Sequence, residues 1–147
     1  MAMTLNQKEE ISDLLRRKIQ CKNSDISYGS RKKEFFLFRR TVEGCFRQLC
    51  LKERSVLIVY YGDEYEAMRN WASDFLPQAL KSHPIFKGWQ LEIGTSRPQG
   101  DRAVGFRLRN DSLASNAGGW YCNREAVTSA AVELFGILDK AGYFGDL

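Results

Sequence analysis

The chain has 147 residues, of which 44% are hydrophobic, and this is the size and composition of one domain with a buried core. No apolar run reaches the roughly 20 residues that a membrane-spanning helix needs, and no secretory-type segment opens the chain, so a soluble cytoplasmic or other intracellular protein without membrane insertion is expected. The net charge of +4 is unevenly distributed, because residues 1–54 contain 13 Lys or Arg and 7 Asp or Glu, whereas the other residues contain 9 Lys or Arg and 11 Asp or Glu. A basic N-terminal third favours an acidic partner such as nucleic acid, a membrane surface or an acidic protein.

The N-terminal third is predicted to be helical. A capping-box spacing followed by an apolar stripe predicts a first helix from about residue 5 to residue 20. Residues 21–30 are rich in turn-forming residues and are expected to be a connection. Apolar residues then recur at helical spacing, which predicts a second helix at about residues 32–51. A strand over residues 35–39 is the competing interpretation, because a helix there would be apolar on nearly all of its faces.

The next stretch has the pattern of a buried strand followed by an amphipathic helix. Residues 56–61 are apolar on both faces, which is typical of a central strand that is covered on both sides. Asp63 and Glu66 have the spacing of a capping pair, so a helix is predicted to begin there and to continue to about Lys81. Pro77 lacks a backbone N–H, and a kink or a restarted last turn is therefore expected at that residue.

The C-terminal half is predicted to contain a hairpin, a loop and a last helix. Residues 89–95 and 102–109 alternate between apolar and polar side chains, which indicates an antiparallel hairpin with one exposed face. Residues 110–119 have no periodic pattern and predict a loop, and loops of this length are often functional. A short strand is expected at residues 120–122, and the helix after it is expected to begin at Asn123 and to end at a glycine.

This order of elements predicts a single domain of the α/β or α+β class. We expect a mixed sheet of three or four strands, with a central strand at about residues 55–61 and a hairpin at about residues 89–95 and 102–109, packed with about four helices. The strand, helix and strand around residues 55–95 are expected to pair in parallel as a right-handed unit. A basic helical region, about residues 5–52, is expected to pack on an α/β core of about residues 54–144.

The basic and aromatic N-terminal region is the first candidate site. Phosphate binding requires several cations on one surface, and single strands of nucleic acid also stack on exposed aromatic rings. Aromatic residues at helical spacing more often belong to a core, and charged residues on a helix more often serve only solvation, so the charge asymmetry is the main support. The residues predicted to contact nucleic acid or an acidic protein, including two from the hairpin, are Arg16, Arg17, Lys18, Arg31, Lys32, Lys33, Arg39, Arg40, Arg107 and Arg109.

The order of elements from Asp63 to Ala141, a helix, then strands, then a helix, resembles that of the double-stranded RNA-binding domain. That family places lysines at the start of its last helix, where they bind phosphates. The corresponding residues here are Asn123, Arg124 and Glu125, which supply one base and one acid. The resemblance therefore extends to the order of elements and not to the residues that bind RNA.

A second candidate site lies at the carboxyl end of the central strand, where open α/β sheets tend to bind ligands. Asp63, Glu64 and Glu66 could act there as a base or hold a metal ion, but acids at this position are also explained as the first turn of a helix. The only histidine, His83, precedes a proline in an expected connection. No second acidic motif matches this position, so catalysis is not favoured.

The four cysteines indicate neither a metal site nor a disulfide framework. None of Cys21, Cys45, Cys50 and Cys122 has the CxxC spacing of a zinc site, and free thiols are expected in a chain with this much apolar core. No cofactor is implied. The sequence thus predicts a small non-enzymatic binding module that contacts RNA or single-stranded nucleic acid. A protein-interaction or inhibitor module that docks an acidic protein is the alternative, followed by an enzyme that uses its acidic turn.

Overall fold

The computed structural model describes residues 26–30, 34–39, 45–94 and 102–142. These residues form six strands, two α-helices and two short 3-10 helices. The strands are β1 (Ile26–Ser30), β2 (Glu34–Arg39), β3 (Cys45–Lys52), β4 (Ser55–Tyr61), β5 (Gln90–Gly94) and β6 (Ala103–Arg109). The helices are α1 (Tyr65–Ser82), α2 (Arg124–Lys140) and the 3-10 turns Pro84–Phe86 and Gly119–Cys122. The mixed α/β class is therefore confirmed, although only two of the four expected α-helices occur in these residues.

The strands form one sheet in the order β1-β2-β3-β4-β6-β5, and every neighbouring pair is antiparallel. The predicted central strand is confirmed, because β4 buries Val56 and Ile58 completely on one face and leaves Val59 only 4% exposed on the other. The expected parallel pairing of β4 with β5 is wrong. β6 lies between them, and the burial of the two strands explains this order. Ala103 and Val104 are buried on opposite faces of β6, as suits a central strand, whereas β5 has the alternating burial that suits an edge strand.

The predicted second helix at about residues 32–51 is wrong. Those residues contribute β2 and β3, and the competing strand at residues 35–39 is the interpretation that the structure confirms. Leu49 and Leu51 show why, because they are two residues apart, are buried on one face, and lie opposite Ile58 and Val56 of β4. Pairing with a neighbouring strand thus overrides the helical spacing of the apolar residues.

Two other N-terminal expectations have different outcomes. The expected connection at residues 21–30 is wrong at its end, where Ile26–Ser30 forms β1 and pairs with β2 from Ile26 opposite Arg39 to Ser30 opposite Phe35. β1 forms because the β2 backbone beside it supplies hydrogen-bond partners, and turn-forming composition does not prevent that pairing. The predicted first helix, at about residues 5–20, lies outside the described residues.

Helix α1 begins at Tyr65 without the predicted capping pair. Glu64 is the N-cap residue and makes no side-chain capping bond, while Asp63 instead forms an ion pair with Arg102. The helix continues through Pro77 to Ser82, so the last turn is not a separate helix. Its buried side chains recur at steps of four residues and pack on the sheet. They are Met68, Ala72, Leu76 and Leu80.

Helix α2 is confirmed, and Gly142 follows its end with a φ of +85°, a backbone conformation that favours glycine. The short strand expected at residues 120–122 is instead a 3-10 turn, because Trp120 turns inward there and is only 1% exposed. The side chains of α1, α2 and one face of β4 and β6 belong to a single hydrophobic cluster. No helix in the described ranges is both long and apolar enough to cross a bilayer.

Candidate functional site

The strand register collects basic residues from distant parts of the sequence at one end of the sheet. A row of paired residues crosses all six strands, from Ser30 and Phe35 through Leu51, Val56 and Leu108 to Leu91. Just beyond this row lie the turn between β3 and β4 and the last residue of β6. We call this the basic end. Its described cations include Lys52, Arg54 and Arg109, and Arg107 lies one residue before the row on β6.

The last residue of β1, Ser30, and the first residue of β2, Glu34, lie at this same end of the sheet. Arg31, Lys32 and Lys33 lie outside the described residues, but they join Ser30 to Glu34. Arg39 ends β2, about 17 Å from its beginning at the usual rise of a strand, and Arg40 follows it. The two ends of β2 are therefore far apart, and Arg40, like residues 31–33, lies outside the described residues. Residues 16–18 are also outside the described ranges.

The two arginines of β6 are exposed on the face of the sheet that points away from the helices. Arg107 lies opposite Glu92 in the register, but no ion pair joins Glu92 to either arginine in the described part of the chain. Arg109 Nε lies 3.4 Å from Asp111 Oδ1, with side chains that are 47% and 60% exposed. Because exposed ion pairs contribute little, both guanidinium groups remain available to a ligand.

Glu53, in the turn between β3 and β4, ties the long loop to the basic end. Its Oε1 accepts a hydrogen bond of 2.7 Å from the backbone N–H of Asn116, and the thiol of Cys122 lies 3.8 Å away. The hydroxyl of Ser115 is a further donor, and this bond, together with that from Asn116, lowers the pKa of Glu53. The predicted loop at residues 110–119 is confirmed, and this carboxylate holds it in place.

Two asparagines complete the attachment of the loop. Asn123 Nδ2 donates to the carbonyl oxygens of Ala114, at 2.6 Å, and of Glu53, at 3.0 Å. Asn110 is only 5% exposed, its Oδ1 accepts the N–H of Ser112 at 3.1 Å, and its own N–H donates to the carbonyl of Arg54 at 2.9 Å. The loop is therefore bonded at both of its ends to the turn that carries the cations.

Glu53→Gln is expected to loosen the loop. Because the folded-state pKa of Glu53 lies below its ordinary value of 4.5, the bonds to its carboxylate stabilise the fold above that pH and are lost as the pH falls through the lowered pKa. Hydrogen exchange should show less protection of the Asn116 amide in the variant at pH 7, and acidification through the lowered pKa of Glu53 should remove protection only from the wild type. Glu92→Gln, on an exposed strand, is the control and should leave the protection unchanged, whereas equal protection in Glu53→Gln and wild type would contradict the anchoring role.

The acidic turn does not form a catalytic arrangement among the described residues. The carboxylate of Asp63 pairs with Arg102, both side chains are more than 60% exposed, and Glu66 accepts a bond from the hydroxyl of Tyr65. No group of three or more His, Cys, Asp or Glu side chains in the described ranges could hold a metal ion. Cys50, which is buried in β3 rather than in a helix, and Cys122 are not in disulfides.

Sequence reasoning identified the cations but not the residues that organise the loop beside them. Glu53, Asn116 and Asn123 carry no motif, and Glu53 is separated from the other two by 63 and 70 residues. The only signal was the Asn and Ser content of residues 110–119, which predicts a loop without indicating where it is attached. No family model, curated protein or solved structure matches this chain, so its function is inferred from the site itself.

Proposed function

We propose that this protein is a non-enzymatic binding module that contacts RNA or single-stranded nucleic acid through its basic end. The observation that carries the proposal is the register of the sheet, which brings the β3–β4 turn and the end of β6 to the same end as the last residue of β1 and the first residue of β2. Nucleic-acid affinity depends on several cations that contact phosphates on one surface. Two described segments of the chain supply cations here, and Arg31, Lys32 and Lys33, which follow β1 in the sequence, are proposed to add to them.

The anchored loop supports the proposal for a second reason. Glu53, Asn110 and Asn123 hold the loop against the turn that follows Lys52 and contains Arg54, so less conformational entropy is lost when a ligand binds beside it. The exposed face of β6 adds Arg107 and Arg109 next to this turn. Acids are present as well, since Glu53 and Asp111 lie at the same end, and the residues at positions 31–33 are needed to make the surface clearly basic.

The test is the salt dependence of binding to a single-stranded RNA oligonucleotide, measured by fluorescence anisotropy. We expect binding that weakens as salt increases, and replacement of Arg31, Lys32 and Lys33 together by alanine should make the logarithmic slope less negative by about 0.7 for each phosphate contact that is lost. Arg107→Ala with Arg109→Ala should have a smaller effect in the same direction. Arg39→Ala with Arg40→Ala, at the far end of β2 and the residue that follows it in the sequence, is the matched comparison and should change the slope little.

Three results would count against the proposal. Absence of binding at low salt would remove nucleic acid as the partner. If the variants at residues 39–40 changed the slope as much as those at residues 107 and 109, net charge, and not the basic end, would drive binding. Recovery of an acidic protein in a tight complex that contains no nucleic acid would favour the alternative, a protein-interaction or inhibitor module. Nothing in the arrangement of Asp63, Glu64 and Glu66 adds support to an enzyme.

A further inference from the structure

An open groove of about 790 Å³ runs between α1 and α2, and its walls are largely apolar. Trp71 and Phe75 form one part of the wall, with ring centroids 5.3 Å apart and an angle of 26° between the rings. Phe75 is 50% exposed and is one of two large hydrophobic side chains that are exposed among the described residues, the other being Ile85. Exposed apolar surface of this kind marks sites of interaction.

The two ends of the groove carry opposite charges. Glu133 lies at one end, where its Oε1 is 3.0 Å from Nδ1 of His83, and its side chain remains 39% exposed. Lys140 lies on the same side of α2, seven residues or two turns further on, which is about 10 Å along the helix. Lys140 has no carboxylate partner among the described residues. A ligand that covers the groove therefore meets an acid at one end and a base at the other.

Gly136 lies midway between these two charges and faces the groove. A glycine in the middle of a helix makes the helix less stable than an alanine would. An added Cβ at Gly136 would meet no atom within 4 Å. Packing within the single chain thus gives no reason for glycine at this position. Close approach of another helix would give one, because a glycine lets two helix backbones come nearer to each other.

We propose that a second copy of this chain covers the groove, related to the first by a two-fold axis that passes close to Gly136. A two-fold interface uses the same patch on both subunits and must be complementary to itself. The axis brings Lys140 opposite Glu133 of the partner subunit, and the reverse pair forms at the other end. The groove meets this requirement because its charges are opposite and are placed symmetrically about the glycine.

The apolar surface fits the same arrangement. Helix α1 begins where β4 ends, whereas α2 begins at the basic end, so the two helices run in opposite directions and Phe75 lies toward the Lys140 end of the groove. The two-fold axis carries this ring to the opposite end of the partner's groove. The walls there include the small side chains of Ala79 and Ser82, which leave room for it.

Sedimentation equilibrium of the full chain at several concentrations tests this proposal without nucleic acid. The wild type should be a reversible dimer. Gly136→Leu should raise the dimer dissociation constant by at least about tenfold and leave the melting temperature of the monomer unchanged or higher, because an added Cβ meets no atom within 4 Å, the position faces the open groove, and leucine favours a helix more than glycine does. Phe75→Ser should also weaken the dimer. Ile85→Ser is the control, since Ile85 is exposed but does not line the groove.

A charge exchange then tests the two-fold arrangement. Glu133→Lys and Lys140→Glu should each weaken the dimer, because each places like charges opposite one another, and the double variant should restore most of the lost affinity. A monomer at every concentration overturns the proposal. So does a dimer that tolerates both Gly136→Leu and Phe75→Ser, or a double variant no tighter than the single ones. These outcomes are independent of nucleic-acid binding at the basic end.

Discussion

Phe106→Ala is expected to lower the free energy of unfolding by about 3–5 kcal/mol, the largest effect of any single substitution considered for this protein. Phe106 is completely buried in β6, where it lies opposite Ile58 of β4 and Ile93 of β5. It belongs to the cluster that includes the apolar side chains of both helices. Truncation leaves a cavity between the sheet and the helices, because neighbouring side chains relax only partly.

Urea denaturation followed by circular dichroism measures this loss, with the monomer concentration held constant. A domain of this size has a total stability of about 5–15 kcal/mol, so the variant should unfold at a much lower urea concentration. Arg107→Ala is the control, because Arg107 is the next residue along β6 and is exposed on the other face. Its effect should stay within about 0.5 kcal/mol. Similar losses for the two variants would mean that the face of β6 that packs on the helices has been assigned wrongly.

The central part of the fold could be predicted because its signals are local. The run at residues 56–61 is apolar on both faces, and the buried positions of α1 and α2 recur at helical spacing within each segment. The alternation in β5 and β6 likewise indicates a hairpin without reference to any other strand. Each of these elements shows its own period, and tertiary contacts only reinforce it.

The N-terminal strands could not be predicted in the same way. Phe35, Phe38, Phe46 and Leu49 fit helical spacing, while Leu49 and Leu51 fit a strand, and the sequence alone does not decide between the two periods. Pairing with β4 decides between the two periods, because the two leucines lie beside Ile58 and Val56 and extend the buried face of the sheet. The order β4-β6-β5 also depends on which strand buries both faces, and that is a property of the assembled sheet.

The candidate site shows the same division between residue type and arrangement. Composition was enough to identify the excess of Lys and Arg before residue 55, but the strand register was needed to place Ser30, Glu34 and Arg109 at one end of the sheet and Arg39 at the other. The loop was recognisable from its Asn and Ser residues. Its attachment to Glu53 depends on contacts across more than 60 residues, which no local pattern reports.

Asn123→Asp is expected to destabilise the fold by about 1–2 kcal/mol at pH 7, although it changes one atom of the side chain. The amide of Asn123 donates to the carbonyl oxygens of Ala114 and Glu53, and a carboxylate cannot donate to either. An acid at the start of α2 gains about 0.3–1 kcal/mol from the helix dipole, which offsets only part of the loss. The nearby carboxylate of Glu53 adds repulsion between like charges.

The pH dependence of this variant distinguishes lost hydrogen bonds from a general defect. Two carbonyl oxygens and Glu53 raise the folded-state pKa of the new carboxyl group above its unfolded value of about 3.9. The charge-dependent penalty is therefore absent below that pH and reaches its full size once the pH exceeds the raised pKa. Denaturation at pH 4 and pH 7 measures the difference, with Asn116→Asp as the control. Asn116 Oδ1 accepts a bond of 2.7 Å from the N–H of Gly118, and a carboxylate preserves that bond. Because Asn116 also lies beside Glu53, the control carries a similar like-charge repulsion but loses no donated hydrogen bond, so it should lose less than Asn123→Asp at pH 7. If Asn123→Asp were as stable as Asn116→Asp at pH 7, the asparagine amide would not be what fastens the loop to the β3–β4 turn.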